Sequence, residues 1–292
     1  MEANVTRLTQ RDRELLAEML DDESTNPNSA LENAALKYKA FYMSSPPDHA
    51  VQGKTSAEAV QELYSQLALN PEQEFGWNKG LENAQQLGYD LHLLAQMPQS
   101  VWESSAAVGN PFAIGPIHAG ETVVDLGCGA GADLCIAALT VGEAGRVFGI
   151  DLTPAMVDKA RSNLALMGLT NAEVACGDFL NLPLESNSVD VVISNGAINL
   201  SPKQSCVFRE IVRVLKPEGR LYLADMICIE ASECSSQATA ESWANCVAGT
   251  LTGECLQKLM EEAGMQAVTF IRTTGYNTSP ATVGALFRAI KV

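Results

Sequence analysis

None of the eight cysteines of this 292-residue chain precedes Cys128, and no two share a C-x-x-C spacing. That argues against a structural zinc site, and a chain of this length builds its core without disulfide help. Basic residues are the second shortage. Nineteen Lys and Arg stand against 35 Asp and Glu, a formal charge of -16. A phosphate backbone as main partner demands a basic patch, so nucleic acid is not an expected partner. No apolar run reaches the length of a membrane span, and the N-terminus, MEANVTRLTQRDRE, has no signal-peptide core. The expectation is a cytoplasmic protein with reduced cysteines and no membrane partner. Histidine is scarce too. His49, His92 and His118 are candidate bases by residue type alone, and surface or capping roles suit them better, so no general base is assigned. There is no repeated unit and no low-complexity tract.

What is present changes character near residue 121. Before about residue 105 the pattern is helical and irregular. Leu15, Leu16, Met19 and Leu20 fit a helical stripe, and Asn28-Ser29 can cap a helix running to Tyr42, stopped by Pro46-Pro47. Further helices are expected over 57–69 and 81–87. From Glu121 onward short apolar runs alternate with helical stretches, the signature of βα units and a mainly parallel sheet. Strands are expected near 122–126, 146–150, 172–175, 189–194, 220–226, 267–272 and 285–290, with helices near 131–141, 154–167, 202–214 and 252–263. The loop between the last two strands, carrying Gly275, Asn277, Ser279 and Pro280, is too short for a helical crossover, so that pair should be antiparallel.

Residues 123–131 read Val-Val-Asp-Leu-Gly-Cys-Gly-Ala-Gly. A glycine loop from a strand into a helix permits a tight turn and close approach to a ligand, although a purely structural turn explains it equally well. Asp151 follows the apolar run Val147–Ile150. Asp178 follows Val174-Ala175-Cys176-Gly177. A Leu-Lys-Pro-Glu-Gly-Arg turn at 215–220 precedes another apolar run. The glycine loop, Asp151 and Asp178 each fall at the carboxyl end of a different expected strand, where open α/β sheets bind ligands. Together they resemble a class I S-adenosylmethionine-dependent methyltransferase. The resemblance implies a Rossmann-like α/β fold with a seven-stranded, mostly parallel sheet and an antiparallel last strand. The expected organisation is an N-terminal helical lid or cap over 1–105 and a methyltransferase domain over 106–292, with a substrate-side segment at 228–292. A nicotinamide dehydrogenase fits less well, because the glycines are spaced G-x-G-x-G and no Tyr-x-x-x-Lys pair is evident.

The same resemblance implies S-adenosyl-L-methionine as cofactor, held by Asp125, Gly127, Gly129, Gly131, Asp151, Leu152, Met156, Asp178, Phe179 and Asn195. Asp125 would support the loop. Asp151 can accept both ribose hydroxyls, or else cap the helix that begins near Pro154. Leu152 and Met156 would flank the adenine. Asp178 would accept from its exocyclic amine, with Phe179 offering backbone contact. Asn195 is placed for cofactor or substrate, and Asn199 for the reacting centre, although Asn also serves turns well.

Three stretches resemble the arsenite methyltransferases more closely: Val108-Gly109-Asn110-Pro111 with Ala119–Val123, the segment Val192–Pro202, and Asn245-Cys246-Val247-Ala248-Gly249-Thr250-Leu251-Thr252. That family holds trivalent arsenic through thiolates, which suit a soft metalloid. Val108 and Gly196 stand where two of those cysteines are expected, and only Cys246 remains. Cys135 reads as core, while Cys228 and Cys234 can face the active site. No cysteine spacing rebuilds a trithiolate. The reading is methyl transfer to a small-molecule acceptor, a soft nucleophile such as a thiol or thioether, in a pocket made more apolar and roomier by Val108 and Gly196. Tyr38, Tyr42, Asn199, Trp243 and Cys246 join these two as candidate substrate contacts. Trp77 and Trp102 read as core anchors. Arsenite methylation with rearranged thiols, and a catalytically silent cofactor-binding protein, stand as alternatives. The acceptor and the oligomeric state are not legible.

Overall fold

Short, almost continuously buried β-branched runs build a sheet whose carboxyl edge carries the landmark residues. The computed structural model describes residues 55–229 and 249–292. The sequence expectations for Tyr38, Tyr42, His49, Cys234, Trp243 and Cys246 therefore lie outside the described residues. All described residues fall in one unit, Asp48–Val292.

The order begins with four helices, α1 (Ser56–Leu69), α2 (Gly80–Gln86), α3 (Leu91–Gln96) and α4 (Gln99–Trp102). Then come β1 (Thr122–Leu126), α5 (Ala132–Val141), β2 (Arg146–Asp151), α6 (Pro154–Leu166), β3 (Ala172–Cys176), β4 (Val189–Asn195) and α7 (Gln204–Val214). Last are β5 (Leu215–Cys228), β6 (Leu251–Thr252), α8 (Gly253–Glu262), β7 (Met265–Thr273) and β8 (Thr282–Lys291). The strands lie in the order β3-β2-β1-β4-β5-β8-β7, with the two-residue β6 paired to β5. β1 to β5 run parallel, and β8 is antiparallel to both β5 and β7. The Rossmann-like sheet with its antiparallel last strand is as expected. β6 is additional, and β5 starts five residues earlier than the run at 220 implied, because Leu215 pairs with Val189 ahead of a bulge.

The central strands are buried on both faces, as a parallel sheet covered by helices must be. Val123, Val124, Val191, Val192 and Ile193 have no solvent exposure. One side is closed by α7, which turns Val207, Phe208, Ile211 and Val214 inward at helical spacing. The other side receives α5, apolar on nearly every face (Leu134, Cys135, Ile136, Ala137, Ala138, Val141), together with residues 84–114.

Packing is continuous through position 105, the expected edge of the N-terminal cap. Asn83 Nδ2 donates to Ala107 O at 2.8 Å. Trp102 is buried, with Tyr89 set edge-on at 5.8 Å. Thr55 and Glu58 close a capping box at the start of α1. The helix is held to the sheet layer by Gln61 Nε2 donating to Leu152 O (2.9 Å) and by Lys159 Nζ donating to Ala68 O, Glu103 Oε1 and Ser104 Oγ. The short α3 and α4, which periodicity did not reveal, fill the path between α2 and β1.

Candidate active site

The turn after β1 shows how local sequence shapes the site. Gly127 has φ +76°, and a Cβ there would lie 2.2 Å from Ala197 Cβ, so only glycine lets the β1 and β4 ends approach this closely. The loop amides are spent inside the protein. Gly127 N and Cys128 N donate to Ile150 O, Gly129 N to Asp151 Oδ2 (2.9 Å), and Gly131 N to Cys128 O. A loop built to cradle phosphate presents its N–H groups to the ligand; here four of them face strand β2 or the loop itself.

A cavity of about 340 Å³ opens at the carboxyl ends of these strands. It is lined by Asp125, Gly127, Gly129, Asp151, Leu152, Met156, Asp178, Phe179, Asn195 and Gly196, which the structure thus brings together as the sequence implied. Asp178 stands at the exposed rim and accepts from Leu180 N, while the Phe179 ring reaches within 3.4 Å of where a Gly127 Cβ would be. Asp151 accepts from Thr153 N (2.8 Å) as well as Gly129 N. It therefore holds the entry to α6 and keeps acceptor capacity for ribose hydroxyls.

Several expected contacts are corrected. Gly131 does not line the cavity. It starts α5 and lets that helix approach α6, since its Cβ would meet Ala160 Cβ at 3.2 Å. Val108 is buried behind the wall, with Gly196 in front of it. Gly196 has φ +66°, and a Cβ there would meet Val108 Cγ1 at 3.0 Å. The two positions are neighbours, as a shared ligand site would need, but Val108 occupies the space. The wall is apolar without being roomier. Asn199 is buried away from the cavity. Its backbone N–H donates to Asp225 Oδ2 (3.1 Å), and neither atom of its side-chain amide has a hydrogen-bond partner. Cys228 ends β5 buried beside Thr250 Oγ1 (3.1 Å), not in the cavity. Among the described cysteines Cys128 alone lines it; Cys135 is core, with its thiol pushed up to about 12 by burial. His92 and His118 are exposed; the backbone N–H of His92, in the first turn of α3, donates to Asp90 Oδ1, and that of His118, in the loop before β1, donates to Glu121 Oε2.

The side chain of Asn195 lines the cavity only in part, because its amide is committed elsewhere. Its Oδ1 accepts from Val108 N (3.0 Å) and Gly109 N, and its Nδ2 donates towards Gly109 O (2.9 Å), Asp133 Oδ2 (2.9 Å) and Tyr89 OH. Tyr89 OH in turn donates to Asp133 Oδ1 at 2.8 Å. This knot ties the 108–109 backbone to the end of β4 and to α5.

Sequence reasoning missed Tyr89, Asp133, Asp225 and the α1 contribution (Thr55, Val60, Tyr64) to the cavity. Two had a signal. Asp133 is the one charged residue in the apolar helix 132–141, and Asp225 sits alone in Leu-Tyr-Leu-Ala-Asp-Met-Ile-Cys. Burial raises the carboxyls of Asp133 to about 6 and Asp225 to about 7, against the hydrogen bonds each accepts. Burial also raises Asp151, and Asp125 lies well above the carboxylate range through burial and then the charges of Asp133 and Asp151.

The donor set suits a cationic nucleoside. Asp125, Asp133 and Asp151 bring negative charge into a shielded space, Asp125 Oδ2 is buried with no hydrogen-bond donor, and the loop amides are not turned outward. A dinucleotide pyrophosphate would meet repulsion here; the sulfonium and ammonium of S-adenosylmethionine would be favoured.

Comparison with known proteins agrees. The methyltransferase domain family matches residues 117–264. An arsenite methyltransferase of Halobacterium salinarum is 40% identical over 185 residues, covering 63% of this chain and 47% of the relative. A demethylmenaquinone methyltransferase of Oceanobacillus iheyensis is 32% identical over 117 residues, covering 40% of this chain and 47% of the relative. The chain thus spans about half the length of the curated relatives it matches. An arsenic(III) S-adenosylmethionine methyltransferase from Chlamydomonas reinhardtii superposes with a TM-score of 0.53 at 27% identity, covering 72% of this chain and 73% of that one. With the glycine loop, the acid-lined cavity and the strand order in place, the chain belongs to the class I S-adenosylmethionine-dependent methyltransferases and is related to the arsenite methyltransferases among them.

Proposed function

We propose that the protein transfers the methyl group of S-adenosylmethionine to a small organic acceptor, a soft nucleophile such as a thiol or thioether. The observation that carries this reading is the Val108–Gly196 contact. The two positions that resemble arsenic-thiolate sites adjoin one another, yet they present a packed isopropyl group and a bare backbone. An apolar wall does not bind a thiophilic metalloid, but it suits the carbon skeleton of an organic acceptor.

The cofactor supplies a methyl group already activated on a sulfonium. The protein's tasks are therefore alignment and exclusion of water. Asp151 would take the ribose hydroxyls while its other lone pairs stay on Gly129 N and Thr153 N. Leu152, Met156 and Phe179 would enclose the adenine, with Asp178 at its amine edge. Gly127 allows Ala197 to close over the loop. The Asn195 knot fixes Val108 and Gly196 relative to Asp133, so the acceptor wall and the cofactor wall move as one piece.

Release of S-adenosylhomocysteine is the test, measured under reducing conditions with arsenite in one arm and organic thiols, thioethers, amines and phenols in the other. Turnover on an organic nucleophile alone is expected. Turnover on arsenite would show that other thiols stand in for positions 108 and 196, and the proposed acceptor class would fall.

A further inference from the structure

Every described lysine but one has an acceptor for its ammonium. Lys159 reaches Glu103, Lys216 reaches Asp190 and Lys258 reaches Glu262. Lys79 donates to Pro71 O, and Lys291 to Asn187 Oδ1 and Leu215 O. The exception is Lys203, whose ammonium enters no hydrogen bond or ion pair among the described residues. It is also the one cation among the residues that line the cavity, where the acids are Asp125, Asp133, Asp151 and Asp178. Its side chain is exposed, but its backbone is fixed. The Lys203 N–H donates to Ser201 Oγ at 3.3 Å, and its carbonyl accepts from Cys206 N and Val207 N at the start of α7.

The wall leading to Lys203 is a continuous strip. From Gly196 the chain runs through Ala197, the 3-10 turn Ile198–Leu200, Ser201 and Pro202, and all of these except Ile198 and Asn199 line the cavity. Helix α1 packs against the same turn and adds Val60 and Tyr64 to the lining. The residues assigned to adenine and ribose, Asp151, Leu152, Met156, Asp178 and Phe179, all lie on other segments. The strip thus begins at the apolar Val108–Gly196 contact and ends at an unpaired positive charge.

Resting on the reading of this cavity as a site for methyl transfer to an organic soft nucleophile, we propose that Lys203 selects acceptors that carry one carboxylate. The nucleophilic atom lies at the cofactor end, the carbon skeleton lies along Ala197 and Leu200, and the carboxylate meets Lys203 at the rim. A lysine ammonium is a point charge on a flexible stem, which suits a monoanion without demanding a fixed geometry. The four acids on the same walls repel a doubly charged group, such as a phosphate monoester, more strongly than a carboxylate. The carboxylate takes no part in the transfer, so Lys203 determines specificity and is not a catalytic residue.

The test compares 3-mercaptopropionate and 4-mercaptobenzoate, each against its own methyl ester. Turnover is read as S-adenosylhomocysteine release, and equilibrium binding to the S-adenosylhomocysteine complex is measured alongside it. The acids are expected to show a KM about threefold to fivefold below the esters, the upper range for an exposed ion pair. That ratio should shrink at about 0.5 M salt, persist in Lys203→Arg, vanish in Lys203→Met and invert in Lys203→Glu. S-adenosylmethionine affinity should move less than the KM of the acids in every variant. Equal handling of acid and ester, or an unchanged ratio in Lys203→Glu, overturns the assignment and leaves methyl transfer to thiols standing. A variant that weakens S-adenosylmethionine as strongly as the acids also overturns it, because the ammonium then serves the cofactor. Acids that bind through Lys203 without being methylated uphold the carboxylate subsite and sink the soft-nucleophile reading. Binding of neither acid nor ester overturns both.

Discussion

At the scale of single residues, two glycines of one loop make different demands. Gly127 and Gly129 both adopt positive φ, but a Cβ at Gly127 would collide with Ala197, whereas nothing lies within 4 Å of one at Gly129. Gly129→Ala should cost about 1 kcal/mol, the conformational term alone. Gly127→Ala should cost at least about 2 kcal/mol and weaken cofactor binding, because the β4 end must shift as well. Urea unfolding of the two variants side by side checks this, and equal costs would refute the close approach. Asn195 is a second such residue. Asn195→Ala strips acceptors from Val108 N and Gly109 N and a donor from Asp133, a loss of about 2–4 kcal/mol in a buried network. The expected signature is a lower midpoint with an unchanged m-value; a near-neutral variant would mean that the knot is incidental.

The element that most affects the site is α1. It belongs to the N-terminal part of the chain yet lines the cavity through Thr55, Ser56, Val60 and Tyr64. Its last turn is held by the Lys159 ammonium, which reaches three oxygens from α6. Lys159→Met keeps most of the aliphatic stem and removes the donors. It should destabilise by about 1–3 kcal/mol and reduce S-adenosylmethionine affinity, with the far-ultraviolet circular dichroism of the sheet and helices unchanged. Unaltered affinity in a folded variant would show that α1 does not hold the cofactor side of the cavity.

Across the whole molecule, buried acids make stability depend on pH in an uncommon direction. Asp225 is raised to about 7 and Asp133 to about 6 by burial, while an unfolded carboxyl titrates near ~4. Between those values the folded chain holds protons that the unfolded chain has lost, so stability is fully present near pH 4 and declines as pH rises through about 7. The formal charge of -16 at pH 7 acts in the same sense, since self-repulsion grows as carboxylates ionise. The thermal midpoint of the ligand-free protein should therefore be several degrees higher at pH 6 than at pH 8. A midpoint that rises with pH would contradict the protonated state of the buried acids.

Much of this protein is written in local pattern. The short apolar runs at 122–126, 146–150 and 189–194 and the apolar stripe of 204–214 specify strands and helices through burial alone, and the order βαβ with a short last loop leaves few topologies open. Asp125, Asp151 and Asp178 were legible because each lies at or just past the carboxyl end of a strand, and strand ends converge in such a sheet. What sequence could not decide is which side chains are free to meet a ligand. Gly131, Val108 and Asn199 lie at the right places along the chain but point into packing, and Asn195 is spent on Gly109, Asp133 and Tyr89. Tyr89 comes from the connection between α2 and α3, 44 residues from Asp133, with no local mark of its role. Hydrogen-bond partners of this kind, and the contact of Val108 with Gly196, exist only once distant segments are packed together. The sequence therefore determined the sheet and the family of the site, while the tertiary structure decided the charge and the shape of its walls.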